Sequence, residues 1–119
     1  YAMRDSLEIF RSIGVTAREI LAAGGGAKSA VWQQIQADVF GTPLSPVGTD
    51  EPAACGAAIL AGVGTGVFPS LDEAMKRVVR VGKTVEPIAK NVALYDERYA
   101  FFRSLYPRFK DAYRELSAP

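Results

Sequence analysis

The residues in this chain whose types and spacing could do chemistry are Gly24-Gly25-Gly26-Ala27-Lys28-Ser29, and that chemistry is the holding of an anion. A short apolar run, Ile20-Leu21-Ala22-Ala23, precedes the glycines. It is too brief for a helix and bounded by glycine, so it predicts a buried strand. A segment of helical period follows. Glycine lets the backbone take positive φ and approach a ligand with no Cβ between them. The first turn of a helix then presents unpaired N–H groups and the positive end of its dipole. Strand, glycines and helix start together make a cradle for a phosphate.

Other chemistries are harder to assemble. The 119 residues contain one cysteine, Cys55, and no histidine. A Ser-His-Asp or Cys-His device cannot be built from them, and the commonest zinc sites are excluded. Neither a catalytic residue nor a metal ligand is therefore assigned in this chain. With 14 basic and 13 acidic residues the net charge is +1, too little to hold nucleic acid or an anionic membrane. The longest apolar run, residues 53–63, is rich in Ala and Gly and falls short of the ~18 residues a membrane span requires. A lone cysteine and no recognisable leader lead us to expect a cytoplasmic protein. The chain starts at Tyr1, directly in helical pattern, which suggests a piece of a longer protein.

The elements that must position the glycines follow from periodicity. Met3, Leu7, Phe10 and Ile13 mark one face of a first helix, ended by Gly14. The helix after the glycines should be N-capped by Ser29, carry Val31, Ile35 and Val39 on one face, and end at Gly41 before Thr42-Pro43. Leu44-Ser45-Pro46-Val47 reads as an edge strand because of its proline. Asp50-Glu51-Pro52 opens a helix of small residues suited to close packing, in which Gly56 implies a packing or site reason. Ser70 and Glu73 form a capping box for the next helix, which runs to about Val79. Residues 83–87 are extended. A last helix from about Asn91 to Leu116 carries Tyr95, Tyr99, Phe102, Tyr106, Phe109 and Tyr113 at helix-packing spacing, and Pro107 should kink or split it.

Two phosphate motifs can be tested against the glycines. The G-x-x-x-x-G-K-[ST] loop fails because Ala27 intervenes between Gly26 and Lys28. The dinucleotide G-x-G-x-x-G pattern fails at Ser29, which disfavours an NAD-dependent oxidoreductase. The residues alone leave open both phosphate binding and a tight turn that needs glycine only for its geometry.

The wording is more specific than either motif. Gly24 to Ser29, with Trp32, Gln34, Ala37-Asp38, Gly41 and Pro43, and then Glu51, Ala54, Gly56-Ala57-Ala58, Ala61, Gly64 and Gly66, resembles the C-terminal signature of the FGGY carbohydrate kinases. It is nearest to their xylulokinase branch, with gluconokinases the closest rival. The resemblance implies an α/β fold, the C-terminal part of an actin-like (ribonuclease H-like) ATPase domain, with residues 1–119 as the nucleotide-binding portion. It implies ATP and Mg²⁺ as cofactors, and D-xylulose as the sugar, held mainly by an N-terminal domain outside this chain. Gly25 would offer its N–H to the nucleotide phosphates, Gly24 and Gly26 would permit close approach, and Ser29 would stand beside adenine. The family's catalytic aspartate has no counterpart here, so the isolated piece is expected to be inactive. A homodimer is a further expectation, and a non-catalytic interaction module using the aromatic helix is the rival class.

Tempting side chains also have plainer readings. Lys28 is read as a solvated lysine at a helix start, Cys55 as a buried small hydrophobe, Asp50 and Glu51 as helix-start acids, and Trp32 as core.

Overall fold

The polypeptide turns around a parallel pair of short strands. In the computed structural model, which describes residues 1–49 and 51–116, β1 (Ile20–Ala22) pairs with β2 (Leu44–Pro46), Ile20 opposite Leu44 and Ala22 opposite Pro46. The crossover between them is a 3₁₀ turn, Gly25–Lys28, and the helix α2 (Ala30–Phe40). This is a βαβ unit, the connection that parallel strands require. Helix α1 (Ala2–Ser12) precedes it, and α3 (Pro52–Gly64), α4 (Leu71–Val78) and α5 (Ala89–Leu116) follow. Asp50, expected at the start of α3, lies outside the described residues.

β2 is not an edge. Its other side carries antiparallel bridges, Leu44 to Val85 and Val47 to Val81. Between those bridges three steps along β2 face four along the returning segment, so one residue is extra and the ladder bulges. Pro46 sits at this bulge, where its missing N–H is tolerated, while its carbonyl accepts from Gly82 N–H at 2.8 Å. A Cβ at Gly82 would lie 2.9 Å from Pro46 Cγ, which explains glycine there.

The core gathers at the C-terminal half of α2. Ala37, Asp38, Val39 and Phe40 are buried with Leu44, Ser45 and Thr42, whereas Val31 at the other end of the same face is exposed. Two arginines of α1 reach the end of α2. Arg4 Nη1 donates to Val39 O at 2.9 Å and Arg11 Nη2 to Phe40 O at 3.0 Å. Cations on the last carbonyls complement the helix dipole. Gly41 then takes the left-handed conformation, φ 60°, that ends the helix. Of the predicted apolar face of α1, Met3 and Phe10 are exposed, as is Ile13 just beyond its end, and Leu7 is half-buried.

Asp38 joins α2 to α5. Its carboxylate accepts from Ile88 N–H at 2.7 Å, from Asn91 Nδ2 at 2.7 Å and from Gln34 Nε2 at 2.9 Å. It therefore caps the first turn of α5 from a neighbouring helix. Ser45 similarly joins three segments, donating to Glu19 Oε1 and lying 2.8 Å from Thr84 Oγ1.

Several expectations are corrected. Pro107 does not split α5, which is continuous from Ala89 to Leu116. α3 packs against α4 and buries Ile59, while its small residues 53–58 are exposed or half-buried. A Cβ at Gly56 would touch nothing within 4 Å, whereas one at Gly62 would fall 2.6 Å from Phe68 Cδ2, so the close approach belongs to Gly62. The capping box of α4 is half formed: Ser70 Oγ accepts from Glu73 N–H at 3.3 Å, while the Glu73 carboxylate turns to Lys76. The aromatic row of α5 is buried or half-buried in its first half and exposed in its second. Tyr99 is buried and meets Tyr1 and Phe102 with ring centroids 5.9 and 6.5 Å away, but Tyr106, Phe109 and Tyr113 are exposed.

Much apolar surface thus stays open. The Cα radius of gyration is 19.0 Å, against ~13.5 Å for a closely packed domain of this length.

Candidate functional site

The glycines stand at the carboxyl end of β1, the end of a parallel sheet at which α/β folds place ligands. Gly24 has φ 83°, ψ −170°, a conformation that a side chain would strain. Its carbonyl accepts from Ala27 N–H at 3.0 Å and begins the 3₁₀ turn. Gln33 Nε2 donates to Ala27 O and ties that turn to α2. Among the described residues the N–H groups of Gly25 and Gly26 have no hydrogen-bond acceptor. Those donors are exposed, so each costs little without a partner and is available to one.

The glycines differ in what a side chain would meet. At Gly25 a Cβ would touch nothing within 4 Å, so the space beside it is open. At Gly26 it would lie 3.2 Å from Trp32 Cδ1 and 3.3 Å from Nε1. Gly26 is therefore glycine partly to seat the indole. Trp32 itself is 48 % exposed, so its expected place in the core is corrected: it covers the turn from outside.

Ser29 is the N-cap of α2, as its position before the helical period predicts. Its Oγ accepts from Trp32 N–H at 3.3 Å. The cap holds the start of α2 in place and leaves the hydroxyl proton of Ser29 for a further acceptor.

The turn opens onto a cleft of about 290 Å³. Gly24, Ala27 and Lys28 line one side, Pro46 to Thr49 the floor, and Arg80, Val81 and Gly82 the far side. Lys28, read as a solvated lysine, is exposed as expected and also lines this cleft. Arg80 was not identifiable from sequence, because the signal that brings it here is a long-range pairing: Gly48 N–H donates to Arg80 O at 2.8 Å. A cleft lined by Gly24, Gly48 and Gly82 with two cations suits a phosphate-bearing ligand. Of the predicted site residues only Gly24 lines it, while Gly25, Gly26 and Ser29 adjoin it along the chain and are not among its lining residues. Glu51 is exposed and is not among the residues lining the cleft. Cys55, expected to be buried, is half-buried and faces a separate apolar groove with Ile59, Leu71, Met75 and Val79. Among the described residues no three of the Cys, Asp or Glu side chains gather as a metal site.

The titration of Tyr99, remote from the cleft, is strongly perturbed. Burial and the hydrogen bond from its hydroxyl to Asp5 Oδ1, 2.5 Å, push its pKa up to about 12. This strengthens the α1–α5 contact and has no part in the cleft.

Comparison with known proteins identifies relatives of this chain. Residues 1–65 match the FGGY family of carbohydrate kinases, C-terminal domain. The xylulose kinase of Bacillus subtilis (strain 168) is 34 % identical over 111 residues, covering 93 % of this chain and 22 % of the relative. The autoinducer-2 kinase of Yersinia pestis (strain Pestoides F) is 40 % identical over 93 residues, 78 % of this chain and 18 % of the relative. The crystal structure of xylulose kinase from Rhodospirillum rubrum superposes with a TM-score of 0.79 at 29 % identity, covering 95 % of this chain and 23 % of that one. The chain thus spans about a fifth of the length of these relatives. The fold is the α/β arrangement expected, a C-terminal part of the actin-like ATPase fold of sugar kinases. No helix among the described residues is long and apolar enough to cross a membrane.

Proposed function

Because the chain belongs to the FGGY family of carbohydrate kinases, we propose that it forms the adenine-nucleotide wall of an ATP-dependent sugar kinase. The acceptor is D-xylulose, phosphorylated at its 5-hydroxyl. The observation that carries this reading is the pair of amides, Gly25 and Gly26, that have no acceptor among the described residues at the exit of β1. In it the Gly25 and Gly26 N–H groups hold the nucleotide phosphates, Gly24 shapes the turn, and Ser29 lies on the adenine side. Bound ATP supplies the phosphoryl group, with Mg²⁺ carried on its phosphates. This chain's task is to position the nucleotide and to offset its charge. Phosphoryl transfer depends mainly on such positioning and electrostatics, so a wall with no nucleophile is a sufficient contribution.

The sugar contacts and the catalytic base belong to an N-terminal domain outside these 119 residues. The enzyme works in the cytoplasm, where ATP is present. The exposed Tyr106, Phe109 and Leu116 of α5 support a homodimer, which sedimentation of the intact polypeptide would detect. The similarity to an autoinducer-2 kinase supports a choice of acceptor made outside this chain.

Calorimetric titration with ADP tests the nucleotide reading. The intact polypeptide should bind ADP, and Gly25→Val should weaken that binding at least tenfold. Equal binding by both would overturn it. Turnover of D-xylulose in preference to other pentuloses, gluconate and glycerol tests the acceptor, and preference for another of these would replace it.

A further inference from the structure

The far side of the cleft carries a residue that neither the glycine motif nor the family match includes. Arg80 follows α4, fifteen residues beyond the end of the matched segment at residue 65. Its backbone is fixed against β2: its carbonyl accepts from Gly48 N–H at 2.8 Å, and the neighbouring Val81 bridges to Val47. One glycine, Gly82, makes that approach possible, since a Cβ there would lie 2.9 Å from Pro46 Cγ. Gly48 lies alongside Arg80: a Cβ there would be in ordinary contact with it, 3.5 Å from Arg80 O and 3.6 Å from Arg80 Cβ. The guanidinium has a long contact, 3.5 Å, from Nη1 to Lys76 O. A guanidinium carries five N–H donors, so most of its capacity remains. Arg80 lines the cleft together with Gly24, Ala27 and Lys28 of the glycine turn.

We propose that Arg80 is a nucleotide-binding residue that contacts the phosphate chain from the side opposite the glycine turn. This rests on the nucleotide reading given above and adds to it a second wall. The turn lines one side through Gly24, Ala27 and Lys28, next in the chain to the amides of Gly25 and Gly26 that the nucleotide reading uses, and the guanidinium on the other contributes charge and bidentate geometry. The pairing favours the di- and triphosphate over the uncharged nucleoside. Arg80 is therefore a specificity-determining residue, and the bulge at Pro46 is the device that brings it to the cleft.

Titration of the intact kinase with ADP and with adenosine, at two salt concentrations, tests the proposal. Arg80→Ala should weaken ADP about tenfold, leave adenosine within a factor of two, and flatten the salt dependence of ADP binding. Arg80→Lys should recover part of the loss. If Arg80→Ala leaves ADP unchanged while Gly25→Val loses it, the proposal falls and the nucleotide reading stands. If neither variant alters ADP binding, both fall. An equal loss for adenosine and ADP, or a lowered melting temperature with ADP affinity intact, would assign Arg80 a structural role and overturn the contact with phosphate.

Discussion

The two ends of α2 are built for different purposes. At its C-terminal end Asp38 is 2 % exposed, Gly41 closes the last turn, and Arg4 and Arg11 cover the carbonyls of Val39 and Phe40. At its N-terminal end Gly25 and Gly26 are exposed, their amides lack acceptors among the described residues, and Trp32 lies half in solvent. One end satisfies its polar groups within the chain. The other leaves donors over, and the rigidity of the first keeps them aimed. A binding loop on a well-anchored helix loses less entropy on taking a ligand than a loose one.

The largest effect should come from breaking the anchored end. Asp38→Ala leaves Ile88 N–H and Asn91 without their acceptor, and should cost about 3 kcal/mol of stability in urea unfolding. The folded fraction should still bind ADP normally. Reduced affinity in fully folded protein would show that the two ends are not independent.

The converse change is Gly25→Val, whose side chain would meet open space. It should leave the melting temperature within a degree or two, while ADP affinity falls by about 1.4 kcal/mol or more, the equivalent of tenfold. A matching loss of stability would mean that the turn is structural.

Arg11→Met removes a cation from the last turn of α2 and should cost about 1 kcal/mol. Substrate kinetics should be unchanged, and a shift in KM for ATP would contradict the division of labour between the two ends.

The smallest effect concerns pH. Because Tyr99 ionises near 12 in the folded chain and near 10 when unfolded, the unfolded state loses its proton first as pH rises. The stability this group contributes is complete below pH 10 and is lost as pH approaches 12. Denaturant titrations between pH 9 and 11 should show a steeper decline for the wild type than for Tyr99→Phe, by a fraction of a kcal/mol at pH 10. Parallel curves would remove Asp5–Tyr99 as a pH-dependent contact.

How much of this was legible in the sequence depends on distance along the chain. Ser29 and Ser70 were readable as caps because each bonds the N–H three residues on, Trp32 and Glu73 respectively. Gly41 was readable as a helix end because a left-handed residue there is a local requirement. Pro46 misled, since a proline in a strand ordinarily marks an edge, and only the bulge against residues 81–85 gives it an interior place. Trp32 misled in the other direction: its size suggested a core position, and Gly26 instead seats it on the surface of the turn. The aromatic period of α5 was correct as a helix and silent on which half is buried.

By itself the sequence determined the strand–glycine–helix unit and its resemblance to a kinase signature, since φ preference, capping and periodicity act over a few neighbouring residues. Only the tertiary structure decided that Asp38 caps α5, that Arg4 and Arg11 close α2, and that Arg80 faces the glycine turn. Those contacts join residues 29 to 53 positions apart, or bring segments after α4 against β2. No local preference encodes them. They follow from which surfaces meet once the chain has packed.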